Sequence, residues 1–374
     1  MTTAVVEGRA ADLLAEVLCD HLGPGPRRLV VVGLSRDEHP KATVLGFGPA
    51  GPAPRLVLKV AMVPGAVPAV LAEAAALAAV ARLAPDRVGG TVPRVLDCRH
   101  DGGSSVLVTS VVPGMPMSVD YHRWRHTARP GAVRDDLAAA VSWLQQLGRV
   151  PVPDVARRGP ARPGGPSNLP GLPTGAAGLP TGAAGLPTGA AGLATDVATR
   201  VGARWPGDAV ADAVGDATRH LAAELALPPG APLSIVHGDF WCGNVLRSAG
   251  RVSGVVDWEH AEIGGDGLRD VTRFVLAYLL YLDRHTPAGR QVSGHPGLVA
   301  GSWGEPVRYA VSGAGWLGRA VEAVVGAELR RTGRDPRHWR NALALATVEV
   351  AATADETAFA RRHLLLAAEL FRCC

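Results

Sequence analysis

The chain has 374 residues, of which 47% are hydrophobic and 19% charged, a balance that excludes a wholly disordered protein and gives no support to a coiled coil. Its net charge of +4 is too small an excess for a surface that tracks phosphates, so we expect no nucleic-acid partner. The five cysteines form no CxxC pair, which argues against a zinc ribbon or a disulfide framework and favours a cytoplasmic location.

The first twenty residues lack the features of an export signal. They have no basic start, and Asp12 and Glu16 interrupt their apolar character. The most apolar helical stretch that we identify is Phe274 to Leu282, whereas a helix that spans a bilayer needs about twenty residues. We therefore expect no membrane association.

Three short β-branched segments bounded by Gly and Pro predict consecutive antiparallel strands, at 28–33, 42–47 and 55–60. An Ala- and Leu-rich helix is predicted over 67–83, since the pattern ends before Pro85. Strand character returns at 105–109, before Pro113 and Gly114 break it. The predicted order is three strands, a helix, a strand and a break.

Helical patterns dominate after residue 115. We predict helices at 134–147, across 196–227 with interruptions, at 270–282, and in three further segments between 306 and 374. Two short strands, 233–236 and 251–256, each run directly into polar residues. The change of pattern predicts a strand-rich first lobe, 1–112, and a helical second lobe, 113–374.

A segment without charge, 163–193, interrupts the second lobe. It contains GLPTGAA three times in succession, at 171–177, 178–184 and 185–191. Three glycines or prolines in every seven residues oppose helix and strand, and the few leucines cannot offset the entropy lost on ordering, so we predict a disordered insertion. Two explanations stay open: a docking tether, or replication slippage into a tolerant surface loop.

The two late strands lead into the residues that carry chemistry. His237-Gly-Asp239 opens the first cluster, which Asn244 closes, and Asp257-Trp-Glu259 forms the second. An Asp followed five positions later by Asn, and then an Asp after another strand, is the arrangement that phosphoryl transfer needs. The first Asp accepts or orients a hydroxyl, while Asn and the second Asp hold magnesium against nucleotide phosphates.

The motifs HGDFWCGN and VVDWE resemble those of the aminoglycoside phosphotransferase family, whose members carry H-G-D-x-x-x-x-N followed by a strand and D-W-E or D-F-E. The resemblance covers the chain except the insertion. It implies an α+β, protein-kinase-like fold with two lobes, a small β-rich N-lobe and a larger helical C-lobe. It also implies transfer of the γ-phosphate of ATP, or of another nucleoside triphosphate, to a hydroxyl of a small molecule, with Mg²⁺.

The resemblance assigns roles to five residues. It implies that Asp239 is the catalytic base or orienting group, that Asn244 and Asp257 are magnesium ligands, and that His237 supports the loop. It implies that Asp270 holds the same loop, although Asp270 also fits the N-cap of the following helix.

The family resemblance further implies a strand lysine for the nucleotide phosphates, paired with a helix glutamate. Lys59 lies centrally in LVLKVA, and Glu73 is the next acidic residue. Lys59 is one of only two lysines in a chain with 36 arginines, and a compact ammonium is not equivalent to the planar fork of Arg. We therefore assign both residues to the nucleotide site, and expect Ser110 and Val112, ahead of Pro113, to meet adenine.

A literal G-x-G-x-x-G at 46–51 is interpreted as a turn between the second and third strands. Only seven residues separate it from Lys59, and prolines follow it where a dinucleotide-binding helix would begin. The loop that covers the phosphates is expected at 33–41, where Ser35 or Lys41 would reach them.

Two alternatives stay open: a nucleotide-binding pseudokinase or regulatory protein of the same fold, and a metallohydrolase built on His237, Asp239 and His260. For the acceptor we expect a neutral or anionic hydroxyl compound rather than a polycation, because residues 284–374 carry twelve arginines against eight acidic residues.

Overall fold

The computed structural model describes residues 2–23, 28–35, 39–48, 51–88, 90–101, 103–152, 190–313 and 315–372. The helices are α1 (Thr2–Leu22), α2 (Val67–Leu83), α3 (Met117–Tyr121), α4 (Pro130–Leu147), α5 (Ala190–Arg204), α6 (Ala209–Glu224), α7 (Leu268–Leu280), α8 (Glu305–Val311), α9 (Gly315–Arg331), α10 (Trp339–Thr353) and α11 (Thr357–Leu370). The strands are β1 (Arg28–Leu34), β2 (Lys41–Phe47), β3 (Leu56–Ala61), β4 (Val95–Asp101), β5 (Ser104–Ser110), β6 (Met115–Pro116), β7 (Ser234–Val236), β8 (Val245–Ser248), β9 (Arg251–Val255) and β10 (Glu262–Gly265).

Contacts group the described residues into two compact units. The first holds the described residues up to 113 together with 254–261, and the second holds 114–152, 190–253 and 262–372. We predicted that everything after 112 belongs to the second lobe, whereas 254–261 groups with the first unit. Backbone and side-chain bonds explain the difference, since Val255 donates to the carbonyl of Thr91 at 2.8 Å and Asp257 binds Lys59.

The first unit is built on an antiparallel sheet in the order β1-β2-β3-β5-β4. The four strands predicted from sequence are confirmed. β4 was missed, because its polar sequence VLDCRHD lacks the β-branched run that marks the others. In the sheet, Lys59 of β3 lies between Thr43 of β2 and Leu107 of β5.

Alternation along β3 separates a core face from a polar face. Leu56, Leu58 and Val60 join a buried cluster with α1, to which Val17 and Leu18 contribute. The intervening Lys59 therefore points to the opposite face. No helix was predicted in the first twenty residues, whereas α1 spans them and packs against the sheet.

Helix α2 supplies the acid that meets this lysine. The segment 64–83 is long and apolar enough to cross a membrane by length and composition, and 44% of it is buried inside the protein. The view that Phe274 to Leu282 is the most apolar helical stretch was wrong. Val70, Leu77 and Val80 are fully buried, and α2 contacts β3, β4 and β5 in the manner of a core helix.

The second unit is helical, with α7 near its centre. This helix contacts α4, α8, α9 and α10, and ten of its thirteen residues are buried, so almost every face of it lies inside the protein. The predicted helices at 134–147 and 270–282 are confirmed within about one turn at each end. The predicted helical segment 196–227 contains α5 and α6, but α5 begins six residues earlier, at Ala190. Four helices, not three, follow residue 304, because Gly313 (φ 74°) and Gly315 (φ 69°) turn the chain between α8 and α9.

The proposed disordered insertion, 163–193, lies outside the described residues over 163–189. Residues 190–193 belong to α5, so the predicted end of the insertion was wrong by four residues. Short pairs complete the second unit: β7 pairs with β10, and β8 lies between β6 and β9.

A buried ion pair anchors the start of α7. Arg334 donates to both carboxylate oxygens of Asp266, at 2.6 and 2.9 Å, and each side chain is 2% exposed. Asp266 also accepts the backbone N–H of Leu268 at 3.0 Å, in the first turn of α7. Removing the arginine would leave a buried charge that water cannot reach.

We predict that Arg334→Ala lowers the free energy of unfolding by about 3 to 5 kcal/mol. The matched control is Arg337→Ala, since Arg337 makes the same type of pair with Asp335 but is 88% exposed. Urea unfolding of both variants measures the difference. Equal stability of the two variants would show that the buried pair of Arg334 and Asp266 does not stabilise the start of α7.

Candidate active site

Lys59 is the centre of an ion-pair network in the first unit. Its Nζ lies 2.5 Å from Oε2 of Glu73 and donates a short hydrogen bond to Oδ1 of Asp257. Lys59 and Glu73 are 15% and 4% exposed at the side chain. The strand, the helix and a segment almost two hundred residues further along the chain therefore meet at one ammonium group.

The charges in this network hold one another in place. Burial alone would lower the pKa of Lys59, but the carboxylates of Glu73 and Asp257 raise it well above its usual value. Burial raises the pKa of Glu73, and the ammonium of Lys59 opposes that rise. Lys59 is therefore a permanent cation at neutral pH.

A second lysine holds the neighbouring acid. Lys41 Nζ donates to both carboxylate oxygens of Glu259, at 2.7 and 2.6 Å, and both side chains are 11% exposed. Both lysines of the chain thus lie in this network. The role of Glu259 was missed, although its place two residues after Asp257 was a usable signal.

The network contains a group of oxygens that suits a divalent cation. Carboxylate oxygens of Glu73, Asp257 and Glu259 lie within 4.8 Å of one another, the only such acid, His or Cys group found among the described residues. Three carboxylates against two ammonium groups leave one net negative charge, and oxygen ligands suit Mg²⁺. The residues present therefore fit a magnesium ion.

Asp257 adopts an unusual backbone conformation. Its φ is 74°, in the left-handed region that non-glycine residues seldom occupy. Trp258, the next residue, is fully buried and donates its indole N–H to the carbonyl of Val255 at 2.9 Å, while its backbone N–H points to Glu73 at 3.4 Å. These bonds fix the turn that presents Asp257 to Lys59.

In the second unit, Asp270 holds the loop that follows β7. Its buried carboxylate accepts the backbone N–H of His237 at 2.6 Å and that of Gly238 at 2.9 Å. Gly238 has φ 84°, which explains the glycine at this turn. Burial raises the pKa of Asp270, and the two backbone donors oppose the rise. Asp270 lies inside α7 rather than at its N-cap, which is Gly267.

Both carboxylate oxygens of Asp239 have a partner. Asn244 donates its amide N–H to Oδ2 at 3.1 Å and to the backbone carbonyl of Asp239 at 3.0 Å. Arg273 Nη2 donates to Oδ1 at 2.9 Å. The five-residue spacing thus brings Asp and Asn together across one loop. Arg273 was missed, but it lies three residues after Asp270 on α7, where side chains share a helix face.

Aromatic side chains form the base of this loop. Phe240 is fully buried, stacks on Trp143 with ring centres 5.6 Å apart, and touches His237 and Phe274. His237 is also fully buried, and its Nδ1 accepts the N–H of Asp239 at 3.3 Å. His237 therefore braces the turn from inside.

Cys242 is a buried thiol with no place in the chemistry. Burial raises its pKa to about 12, which keeps it protonated and makes it a poor nucleophile or metal ligand.

The other predicted nucleotide contacts lie in the first unit. Ser110 ends β5, where its Oγ accepts the N–H of Arg94 at 2.9 Å and its own N–H donates to the carbonyl of Arg94 at 2.9 Å. Val112 follows the strand, one residue before the chain leaves the first unit.

Gly48 and Gly51 lie between β2 and β3, as interpreted from sequence, whereas Gly46 belongs to β2, and residues 49–50 lie outside the described part. The backbone N–H of Arg55 donates to the carbonyl of Gly46 at 2.8 Å. The expected phosphate loop, 33–41, joins β1 to β2, and its residues 36–38 lie outside the described part. Ser35 and Lys41 close it with hydrogen bonds of 2.7 and 2.9 Å.

A strand-rich unit with a lysine–glutamate pair, and a helical unit with an Asp–Asn loop, define a protein-kinase-like fold. The sequence of residues 47–278 matches the phosphotransferase enzyme family. Since the match spans more than half of the chain, the protein belongs to that family.

Solved structures of aminoglycoside phosphotransferases share this fold. The thermostable APH(4)-Ia mutant in complex with ADP and hygromycin B is 15% identical, with a TM-score of 0.53 over 96% of this chain and 97% of that one. The streptomycin–ATP complex of APH(2")-IIa is 10% identical, with a TM-score of 0.50 over 96% and 97% of the two chains. No curated protein matches the sequence significantly.

Proposed function

We propose that this protein transfers the γ-phosphate of ATP, or of another nucleoside triphosphate, to a hydroxyl group of a small molecule. The observation that carries the proposal is the Lys59 ammonium held between Glu73 and Asp257. A permanently charged lysine on a strand, fixed by a helix acid, is a ready partner for nucleotide phosphates. Nucleotides in the two related structures, ADP and ATP, support the same donor.

In this proposal Lys59 binds the α- and β-phosphates, and Glu73 keeps its ammonium in position. Adenine meets the backbone beyond β5. Since the N–H of Ser110 is already bonded to Arg94, Val112 offers the backbone groups for that contact. Ser110 supports this segment, because its hydroxyl oxygen accepts the backbone N–H of Arg94.

Asp257 and Asn244 would hold magnesium, with Glu259 close to Asp257. When bound, the ion neutralises charge on the phosphates and on the group in transfer. Lys41 orients the carboxylate of Glu259. The side-chain amide N–H of Asn244 stays hydrogen-bonded to Asp239.

Asp239 would orient the acceptor hydroxyl and take its proton. Asn244 and Arg273 hold one carboxylate oxygen each, so the group is already aligned. Asp270 positions Asp239 indirectly, because its carboxylate binds the backbone N–H groups of the two residues that precede Asp239.

The alternatives make different demands on the structure. A pseudokinase would be expected to lack one of the reacting groups, and Lys59, Asp239, Asn244 and Asp257 are all present. A metallohydrolase needs a ligand cluster around His237, and the described residues hold a cluster only at Glu73. Stabilisation by ATP with Mg²⁺, without stabilisation by zinc alone, distinguishes the transferase.

We predict that Asp239→Asn lowers turnover by about a hundredfold or more and leaves nucleotide binding intact, because the carboxylate serves the acceptor. Asp216→Asn on α6, an exposed position, is the control. Steady-state ATP consumption with a substrate found by screening, together with nucleotide titration, checks both. A variant that keeps more than about a tenth of turnover would show that Asp239 is not the base.

We predict that Asp257→Ala weakens binding of a nonhydrolysable ATP analogue with Mg²⁺ by at least about tenfold, and that Lys59→Ala weakens it less. Asp86→Ala, an exposed acid on the same unit, should bind normally. Calorimetric titration measures the affinities, and melting temperatures show that each variant is folded. Unchanged affinity in both site variants would exclude the nucleotide site.

The ion pairs made by the acidic residues of the candidate site support a neutral or anionic acceptor. A polycation needs free carboxylates, but Glu259 is bound by Lys41, Glu262 by Arg269 at 2.7 Å, and Asp239 by Arg273. Arg273 places a positive charge beside Asp239, which disfavours a cationic ligand there and favours a neutral or anionic one.

We predict a higher kcat/KM for a sugar or small hydroxylated metabolite than for kanamycin-like compounds. Arg273→Ala should narrow that preference by removing the cation next to Asp239. Specificity constants for both classes test the idea. An aminoglycoside turned over at about 10⁴ M⁻¹s⁻¹ or more would overturn it.

A further inference from the structure

Trp241 lies in the loop that carries Asp239 and Asn244, and its backbone carbonyl accepts the N–H of Asn244 at 3.0 Å. Along this loop, Phe240 and Cys242 are buried, with 0% and 2% of their surface exposed, whereas Asp239 and Trp241 are half-buried. The burial pattern places Asp239 and Trp241 together on the outer side of the loop. An indole ring therefore lies two residues from the carboxylate that we assign to the acceptor.

Gly243 allows the indole to pack closely on this loop. A Cβ atom at Gly243 would lie less than 3.0 Å from three atoms of the Trp241 ring, Cε2, Cζ2 and Cη2. Gly243 is not one of the glycines with positive φ, so its backbone conformation alone does not require glycine. The ring requires it, because the ring packs directly against the backbone. A ring held in this way loses little side-chain entropy when a ligand binds to it.

The polar edge of this indole is not used by the protein. In the part of the chain that the structure describes, nothing accepts a hydrogen bond from the Trp241 N–H, and no other aromatic ring stacks on it. By contrast, Trp258 donates its indole N–H to Val255 at 2.9 Å, and Trp316 donates to Gly294 at 3.0 Å. The Trp241 N–H is not one of the buried polar atoms without a partner, so a ligand can reach it.

An uncharged cyclic polyol fits these properties. One face of a pyranose or cyclitol ring carries mainly C–H bonds, and hydroxyl groups project from its edge. The flat indole suits that apolar face, and its N–H can donate to a hydroxyl oxygen. An open-chain polyol has no flat face to place on the ring. An ammonium group over the indole is disfavoured, because Arg273 places a positive charge next to Asp239.

We propose that Trp241 determines acceptor specificity: it selects an uncharged pyranose or cyclitol by stacking against one face of the ring, on the same side of the loop as Asp239. This inference rests on the proposed transfer to a hydroxyl and narrows its acceptor to one class. The stacking contact forms in the bound substrate as well as in the transition state. Its loss should therefore appear mainly in KM rather than in kcat.

A matched pair of acceptors tests the proposal. myo-Inositol and glucitol each have six carbons and six hydroxyl groups and differ in ring closure, and a panel of methyl pyranosides extends the comparison. We expect wild-type kcat/KM to be about tenfold or more higher for the preferred ring than for glucitol, which corresponds to one aromatic stacking contact. Trp241→Leu should bring this ratio close to one, and Trp241→Phe should retain most of it, because phenyl is also flat.

The matched control is Trp124→Leu. Trp124 lies in the same unit and is 89% exposed, so the same substitution there should leave the ratio unchanged. Melting temperatures show that each variant is folded. A Trp241→Leu variant that keeps the wild-type ratio would overturn the proposal. Equal losses with ring and open-chain acceptors would also overturn it, because they would show that Trp241 only supports the loop.

A binding measurement gives a second test that does not depend on turnover. The indole N–H signal of Trp241 can be recognised among the eight tryptophans by its absence from the NMR spectrum of Trp241→Phe. With a nonhydrolysable ATP analogue and Mg²⁺ present, the preferred ring should shift this signal in a saturable manner, and glucitol should not. A panel in which no ring shifts the signal or accepts phosphate would overturn the proposal.

Failure of this inference can be distinguished from failure of the proposed function. Transfer to an open-chain acceptor at least as efficient as to any ring, and dependent on Asp239, would overturn the role of Trp241 and leave phosphotransfer intact. Unchanged nucleotide affinity in Asp257→Ala and Lys59→Ala would instead contradict the nucleotide site itself.

Discussion

The structure depends on one ammonium group shared between two carboxylates. Lys59 lies on a strand whose neighbouring residues are buried against α1, so its position is set by the core. Burying that charge is unfavourable on its own, and Glu73 and Asp257 make it favourable. Because these partners come from a helix and from a distant segment, the ion pairs tie three parts of the chain together.

This constraint explains local features that are unfavourable when taken singly. A glutamate in the middle of a very apolar helix is expensive unless it meets a cation, and Glu73 meets Lys59. A left-handed aspartate costs backbone energy, and Asp257 adopts that conformation where it binds the same lysine. The second unit repeats the principle with Asp270, a buried acid stabilised by backbone N–H groups rather than by an ammonium.

The sequence was sufficient for the fold class, and its compact motifs identified residues that the structure brings together, while the roles of these residues stay predictions. Asp239 and Asn244 share a loop, so a fixed spacing reveals them. Lys59 stands out because the chain otherwise uses arginine. Arg273 and Glu259 were not predicted as parts of the site, since their roles arise from contacts between elements far apart in sequence. α1 and β4 were missed because amphipathic and polar segments acquire structure mainly from packing.

The scarcity of lysine has a practical consequence. Both side-chain amines of the sequence are engaged by carboxylates, and they are 11% and 15% exposed. The chain has no other lysine, so a reagent that acylates lysine side chains can react only at Lys41 and Lys59. Protection of these two amines, read as a change in mass after digestion, would report directly on the state of the network without any substrate being known.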